Sequence, residues 1–380
     1  MSRPIRWCFL AEPPHLNRGE TPRLIPPQDE KSGALGLFCK WLCGVWVTSD
    51  TVADWRGIQQ AMALTAEEKA TGSLFGKLFA AYDDVNFKRS VELFKRRFTD
   101  AGFDVGWFRG KACLDAGCGG GRYSIALAHL GASSVDGVDV GKVNIADANR
   151  RALDLQASHI NFHVGSVAEL PFPAGQFDCV ICSGVLQHTV DPVRVLDELS
   201  RVLRPGGMLY MLVYATEGLR WPLVQVLRPI AQSIGLEKLD ALVEQAGLPV
   251  NRRRTYLDDL FVPYIDFYTW RSLEGQLRQR GFVDIARWER GRLDHEETIE
   301  TYAADLEGFV QIFRGASAHA RGLTAVEAAS MEAGARLSAE AHGFARAVAE
   351  AVMRGDLSQA AARALTIGQG HHRLVAWKAK

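Results

Sequence analysis

The sequence has no surplus of charge. Lysine plus arginine and aspartate plus glutamate both number 44 in 380 residues, for a formal net charge of zero. A protein that holds duplex nucleic acid generally carries a basic excess, so no nucleic-acid partner is expected. A local basic run, Arg252, Arg253 and Arg254, could form a patch, with a solvated helix end or loop as the plainer reading. The sequence also lacks a membrane-length apolar run. Its greasiest stretch, residues 33–47, is shorter than the ~20 residues a spanning helix needs and has Lys40 in its middle. It reads as a buried or partner-facing helix. The opening residues have no sustained apolar core, so no signal peptide is expected. Nor is there a paired cysteine framework. The seven cysteines (8, 39, 43, 113, 118, 179 and 182) are odd in number and irregularly spaced. That fits a reducing, cytoplasmic setting. Cys39 and Cys43 could share a helix face, but two thiols fall short of the four ligands of structural zinc, and no metal is expected.

What is there is ordinary globular material, 47% hydrophobic and 23% charged, enough for a large core and for two domains or one elaborated one. Residues 1–32 are rich in proline and charge and read as an irregular arm. Residues 50–100 carry helical spacing through Phe75, Leu78, Phe79 and Tyr82, then Val91, Phe94 and Phe98. From about residue 111 short apolar runs alternate with helical patterns. Strands are expected at Cys113–Leu114, Ser134–Val140, Ile160–Val164, Phe177–Cys182 and Met208–Tyr214, with a helix over 142–156. Asp191 and Pro192 are an N-cap and first-turn pair for the helix through Val195, Leu196, Leu199, Val202 and Leu203. Pro205, Gly206 and Gly207 should end it. This alternation implies βαβ units and a parallel sheet. Helix then strand return over 272–290, residues 296–366 read as helical, and His372–Lys378 alternates as a last strand.

Chemistry is concentrated at the strand ends. The segment Leu114-Asp115-Ala116-Gly117-Cys118-Gly119-Gly120-Gly121-Arg122 follows a strand and opens a helix. Glycines there let the backbone approach a nucleoside lying across the carboxyl ends of the strands. The spacing is G-x-G-x-G, with Arg122 where a dinucleotide fingerprint has its third glycine. Asp139 ends the second strand about twenty residues later, where a carboxylate accepts hydrogen bonds from ribose hydroxyls; a helix-capping role competes with that one. Asp136, earlier in the strand, is expected to face solvent or cap a contact. Ser166 and Val167 follow the third strand, and Ser183 through Thr189 the fourth.

In this order DAGCGGG, GVDV, LPFPAGQFD, SGVLQHTVDP and LRPGG resemble the class I, seven-stranded S-adenosylmethionine-dependent methyltransferases, in particular the type 11 methyltransferase group, over about residues 70–290 and the final strand. The resemblance implies an α/β fold: a Rossmann-like, doubly wound, mostly parallel seven-stranded sheet, with an N-terminal helical extension and helical insertions. It implies an extension over 1–100, a cofactor-binding core over 101–214, a cap over 215–271, core again over 272–290, a helical insertion over 291–370 and a last, antiparallel strand over 371–380. It also implies that Asp115 and the backbone of Gly117, Gly119 and Gly121 hold the amino-acid part of S-adenosylmethionine. Asp139 would take both ribose hydroxyls, Val140 would pack on adenine, and Ser183 would approach the methionine portion by its backbone. At position 166 the group commonly has an aspartate on the adenine amino group. Ser166 departs from this, leaving a weaker bond there beside the Val167 N–H. The segment FGKLFAAYDDVNF resembles a cofactor-covering helix of a bacterial subset, with Phe79, Tyr82 and Phe87 but without that subset's tryptophan.

Methyl transfer is an in-line displacement in which alignment is the main task. A base helps when the acceptor is a hydroxyl. His188 is the candidate, with a structural rim histidine as the competing reading. Tyr214 is either a pocket residue or core packing, and the aromatic run from Tyr256 to Trp270 either lines an acceptor pocket or packs as a cap. The expected function is methyl transfer to a small-molecule or biosynthetic-intermediate acceptor. The alternatives are a macromolecular acceptor (glycan, protein or RNA) or a non-catalytic accessory use of the fold. The oligomeric state is not legible.

Overall fold

The computed structural model describes residues 64–79, 83–288, 296–319 and 321–380. The expectations for 1–47, including Cys39 and Cys43, and for the side chains of Phe79 and Tyr82 lie outside what is described. Among the described residues two α-helices precede the sheet, α1 (Leu64–Phe79) and α2 (Asp84–Asp100). Asp83 caps α2 by accepting from the Asn86 N–H, and the apolar face of Phe87, Val91, Phe94 and Phe98 is buried. Strands and helices then alternate: β1 (Ala112–Ala116), α3 (Arg122–His129), β2 (Ser134–Asp139), α4 (Lys142–Asp154), β3 (Ile160–Val164), β4 (Phe177–Ser183), α5 (Pro192–Val202) and β5 (Leu203–Tyr214). Asp191 caps α5 through the Arg194 N–H, with proline in the first turn. After β5 come α6 (Arg220–Ile234), α7 (Leu236–Gln245), α8 (Val250–Phe261), α9 (Trp270–Gln279) and β6 (Phe282–Arg287). Then follow α10 (Ile299–Ala318), α11 (Ala325–Met353), α12 (Gln359–Thr366) and β7 (His371–Lys378).

The seven strands lie in the order β3-β2-β1-β4-β5-β7-β6. Pairs among β1 to β5 are parallel, and β7 runs antiparallel to both β5 and β6. The order reverses between β1 and β4, which opens a crevice at their carboxyl ends. Side chains alternate between two cores, as strand pleating requires. Cys113, Cys179 and Ile181 pack on one face with Phe94, Phe98 and Phe108. Leu114, Val180 and Cys182 pack on the other with Leu196, Leu199 and Leu273.

Three expectations change. Leu203 is already strand, paired with Phe177, while Met208 pairs with Cys179. Arg204 to Gly207 therefore bulge out of β5, and Gly206 (φ 74°) supplies the bend. Asp136 is buried at 8% exposure and holds the His163 ring, Nε2 to Oδ1 2.8 Å. The Arg252–Arg254 run forms neither a patch nor a solvated end. Arg252 reaches the Ala304 carbonyl, Arg253 is buried against Asp240 and Glu244, and Arg254 turns inward. Among the described residues no helix is long and apolar enough to cross a membrane.

Candidate active site

A cavity of about 350 Å³ lies over the β1/β4 crevice. One half of it is built on the ends of β1, β2 and β3. The turn after β1 is fixed to the neighbouring strand, since the N–H groups of Gly117 and Cys118 both donate to the Val138 carbonyl (2.8 and 3.0 Å). Gly117 (φ 79°) sits under Val185, and a Cβ there would fall 2.7 Å from Val185 Cγ1. Gly117, Gly119 and Gly120 line the cavity, and a Cβ on Gly119 would meet nothing within 4 Å. Gly121 does not line it. Its α-carbon faces Phe162 and Ala148, so that glycine serves helix-to-strand packing.

Asp139 closes the turn from the side. Its Oδ2 accepts from the Gly119 N–H (3.0 Å), and its Oδ1 from the Gly141 N–H (2.7 Å) and Asn144 Nδ2 (3.0 Å). A carboxylate offers about four acceptor positions, so roughly one remains for a further donor. Burial raises its carboxyl above the usual range, against the pull of those three bonds. Asp115, 2% exposed, accepts from Ser124 Oγ (2.7 Å), and burial pushes its carboxyl up to about 6. Val140, Val167, Ser166 and Ser183 all line the same cavity.

Sequence reasoning singled out Phe87 through the resemblance of its segment to a covering helix, but missed the polar side chains that the N-terminal helices contribute. Gly72 brings α1 against Val140 and Gly141; a Cβ there would lie 3.0 Å from Val140 Cγ2. The close approach places Glu68 on the cavity wall, where Ser166 Oγ donates to its Oε1 (3.0 Å). Helix α2 delivers Arg97, whose Nη1 donates to the Tyr123 hydroxyl (2.5 Å), and Ser183 Oγ lies 3.4 Å from the same hydroxyl. Burial pushes the Tyr123 phenol up, but Arg97 and Arg122 bring it down to about 8. Phe87 also lines the cavity, with the Arg151 guanidinium 4.1 Å from its ring centre. Glu68 and Arg97 have no motif around them; each is set by packing between distant segments.

The other half is built on the ends of β4 and β5 and the start of β7, with α8 as a wall. His188 is 8% exposed, and its Nδ1 lies 3.0 Å from the Tyr264 carbonyl. A carbonyl only accepts, so Nδ1 carries the proton and Nε2 is the ring's acceptor. Burial lowers the imidazole to about 4, leaving it neutral and weakly basic at pH 7. Tyr214 stands edge-on to both His188 and His371 (centroids 5.3 and 5.2 Å) and stacks on Trp221 at 4.0 Å. It is both a pocket residue and a packed one. The aromatic residues from Tyr256 to Trp270 do not line the cavity; Tyr256, Tyr264 and Tyr268 are buried in packing. The polar face of α8, with Arg254, Thr255 and Asp258, lines it instead. Among the described residues no group of three or more His, Cys, Asp or Glu side chains could hold a metal ion.

Residues 114–211 match the family described as "Methyltransferase domain". Over 101 residues the chain is 41% identical to a protein of Psychrobacter arcticus named ubiquinone biosynthesis O-methyltransferase, covering 26% of this chain and 39% of that protein. A protein of the same name from Coxiella burnetii is 36% identical over 102 residues, 27% of this chain and 43% of that one. The chain therefore spans about two-fifths of the curated relatives it matches. Among solved structures, the YcgJ protein of Bacillus subtilis aligns over 77% of this chain and 99% of that one, at 16% identity and a TM-score of 0.42.

Proposed function

We propose that the chain is an S-adenosylmethionine-dependent methyltransferase acting on a hydroxyl of a small-molecule acceptor. One observation carries the reading. A single cavity joins a nucleoside-sized half on β1–β3 to a half walled by Phe75, His188, Tyr214 and α8, and the two meet at the sheet's switch point. The first half fits the cofactor by its donor set. Gly117 and Gly119 leave room for the amino-acid part, and Arg97, Arg122 and Tyr123 stand where its carboxylate would need cations and a hydroxyl. Asp139 has capacity for a ribose hydroxyl. Val140 and Val167 offer apolar contact to the base. Glu68, fixed by Ser166, supplies the carboxylate that the resembled group carries at position 166.

S-adenosylmethionine supplies an electrophilic methyl group, so the protein's task is to align the acceptor oxygen and exclude water. His188, neutral with Nε2 as acceptor, orients the hydroxyl through a hydrogen bond. At about 4 it is too weak a base to keep the proton, which passes on to solvent. The relatives' names point to oxygen rather than nitrogen or carbon. The buried thiols Cys113, Cys118, Cys179 and Cys182 are all unpaired, which supports a reducing, cytoplasmic setting.

The test is methyl-labelled S-adenosylmethionine incubated with purified protein and a fractionated lysate. Label in the low-mass fraction supports the proposal. Label retained with macromolecules overturns the small-acceptor reading. No label, despite measured S-adenosylhomocysteine binding, overturns methyl transfer.

A further inference from the structure

One helix borders both halves of the cavity. Glu68, Thr71, Gly72 and Phe75 of α1 all line it, and the spacing i, i+3, i+4, i+7 puts them on one helix face. Glu68 and Phe75 stand about 10 Å apart along the axis, seven residues at ~1.5 Å each. At one end Glu68 accepts from Ser166 Oγ (3.0 Å), in the half that Val140 and Val167 also line. At the other end the Phe75 ring lies 5.4 Å from the His188 ring, tilted by 57°. Between the two, the helix rests on the turn after β2. Glycine inside a helix is destabilising relative to alanine, so a pair of glycines one turn apart needs a packing reason. A Cβ at Gly72 would fall 3.1 Å from the Gly141 N, and one at Gly76 3.3 Å from Val143 Cβ. The helix is thus pressed against the nucleoside half while it carries an aromatic ring into the other. There the His188 ring is held through Nδ1 by the Tyr264 carbonyl and met edge-on by Tyr214, and Phe75 packs on the same ring.

We propose, resting on the methyltransferase reading, that Phe75 is an acceptor-positioning residue and that α1 couples the two halves: a nucleoside in one half holds the helix where Phe75 packs on His188 in the other. A ligand shifts an element only by what it gains in one position over another. A nucleoside beside Val140 gains contact with the Glu68–Gly72 stretch only when α1 is seated on the β2 turn. An acceptor ring gains Phe75 only when the helix is in that same place. Each ligand thus stabilises the arrangement the other uses, and linkage makes the effect reciprocal. Phe75 acts through His188. With Tyr214 it confines the imidazole, and so fixes the direction in which Nε2 meets the acceptor hydroxyl.

The experiment is a calorimetric binding square on the full chain. One ligand is S-adenosylhomocysteine. The other is phenol, the smallest molecule that brings a ring to Phe75 and a hydroxyl to His188. In the wild type, saturating S-adenosylhomocysteine should tighten phenol by at least about fivefold, the low end of ordinary coupling between sites, and saturating phenol should tighten S-adenosylhomocysteine by the same factor. Phe75→Ala should bring both factors below about twofold, and so should Glu68→Ala at the far end of the helix. Phe75→Tyr keeps the ring and should keep the coupling. Phe75 is half-exposed, so its alanine variant should melt close to wild type. A factor that survives in both alanine variants means that the two ligands touch each other directly, and overturns the proposal. So does an absence of coupling, or of phenol binding, in the loaded wild type; in each case the methyltransferase reading stands. Failure of S-adenosylhomocysteine itself to bind overturns that reading, and this inference with it.

Discussion

Replacing Gly117 with alanine perturbs one point of the turn in two separable ways. The residue sits at φ 79°, where an L side chain costs about 1–2 kcal/mol. Its new Cβ would also lie 2.7 Å from Val185 Cγ1 and closer still to Cγ2, and overpacking of that kind costs about 1–3 kcal/mol. The turn has no easy way to yield. The Gly117 and Cys118 N–H groups bind the Val138 carbonyl, and the Gly119 N–H binds Asp139. The combined effect is about 2–5 kcal/mol, read as lost stability in urea denaturation or as roughly 30- to 5,000-fold weaker S-adenosylhomocysteine binding. Val185→Ala removes both clashing methyl groups and leaves its own Cβ at 3.1 Å. The double variant should recover the packing share and keep the backbone share. The two substitutions should therefore couple by about 1–2 kcal/mol, well outside the ~0.5 kcal/mol scatter of independent sites. Additivity in the double-mutant cycle, or a Gly117→Ala protein indistinguishable from wild type, refutes the reasoning.

Three further outcomes are expected. Asp115 has its carboxyl raised from 3.8 to about 6 by burial, so its contribution to stability is present below 3.8 and lost as pH rises through about 6. Ligand-free Asp115→Asn should therefore gain on wild type by up to about 3 kcal/mol between pH 4 and pH 7.5, read from urea midpoints; a pH-independent difference would count against it. Glu68→Ala should weaken S-adenosylhomocysteine binding about tenfold, the weight of one charged hydrogen bond, and Ser166→Asp in that background should restore part of it. Arg220→Leu leaves the buried Asp259 and the half-buried Asp305 without their cation and should destabilise the fold by about 3–5 kcal/mol in chemical denaturation.

The half of the cavity on β1–β3 was legible because its residues are tied to strand ends. Apolar runs place β1 and β2, their carboxyl ends place the turn and Asp139, and positive φ explains Gly117 and Gly119. The bulge at Arg204–Gly207 was misread because proline and glycines stop helices more often than they kink strands, and only pairing with β4 reveals which is happening. Glu68 and Arg97 were illegible for another reason. Each acts across a contact between segments remote in sequence, Glu68 on Ser166 and Arg97 on Tyr123, and on its own helix is one polar residue among many. The aromatic run at 256–270 left pocket and cap open in sequence, and its buried tyrosines pack as a cap. Large rings are what a cap needs to pack on the sheet, and the helix face left over is the polar one.

The topology explains how the second half of the cavity is walled. Tyr214 ends β5 opposite His371, which begins the antiparallel β7, and β6 is antiparallel to β7 as well. Chain leaving β5, chain leaving β6 and chain entering β7 therefore all cross the same rim as the Gly-rich turn. Helices α6–α9 occupy the first connection and α10–α12 the second, and the two sets lock together through Arg220, which joins α6 to Asp259 of α8 and Asp305 of α10. The family match ends at residue 211, whereas Arg254, Thr255, Asp258 and His371 lie beyond it. The cavity wall on α8 and β7 thus lies outside the matched region. A change of acceptor across such proteins is expected to track the connections after β5 and β6, with the turn and Asp139 left in place.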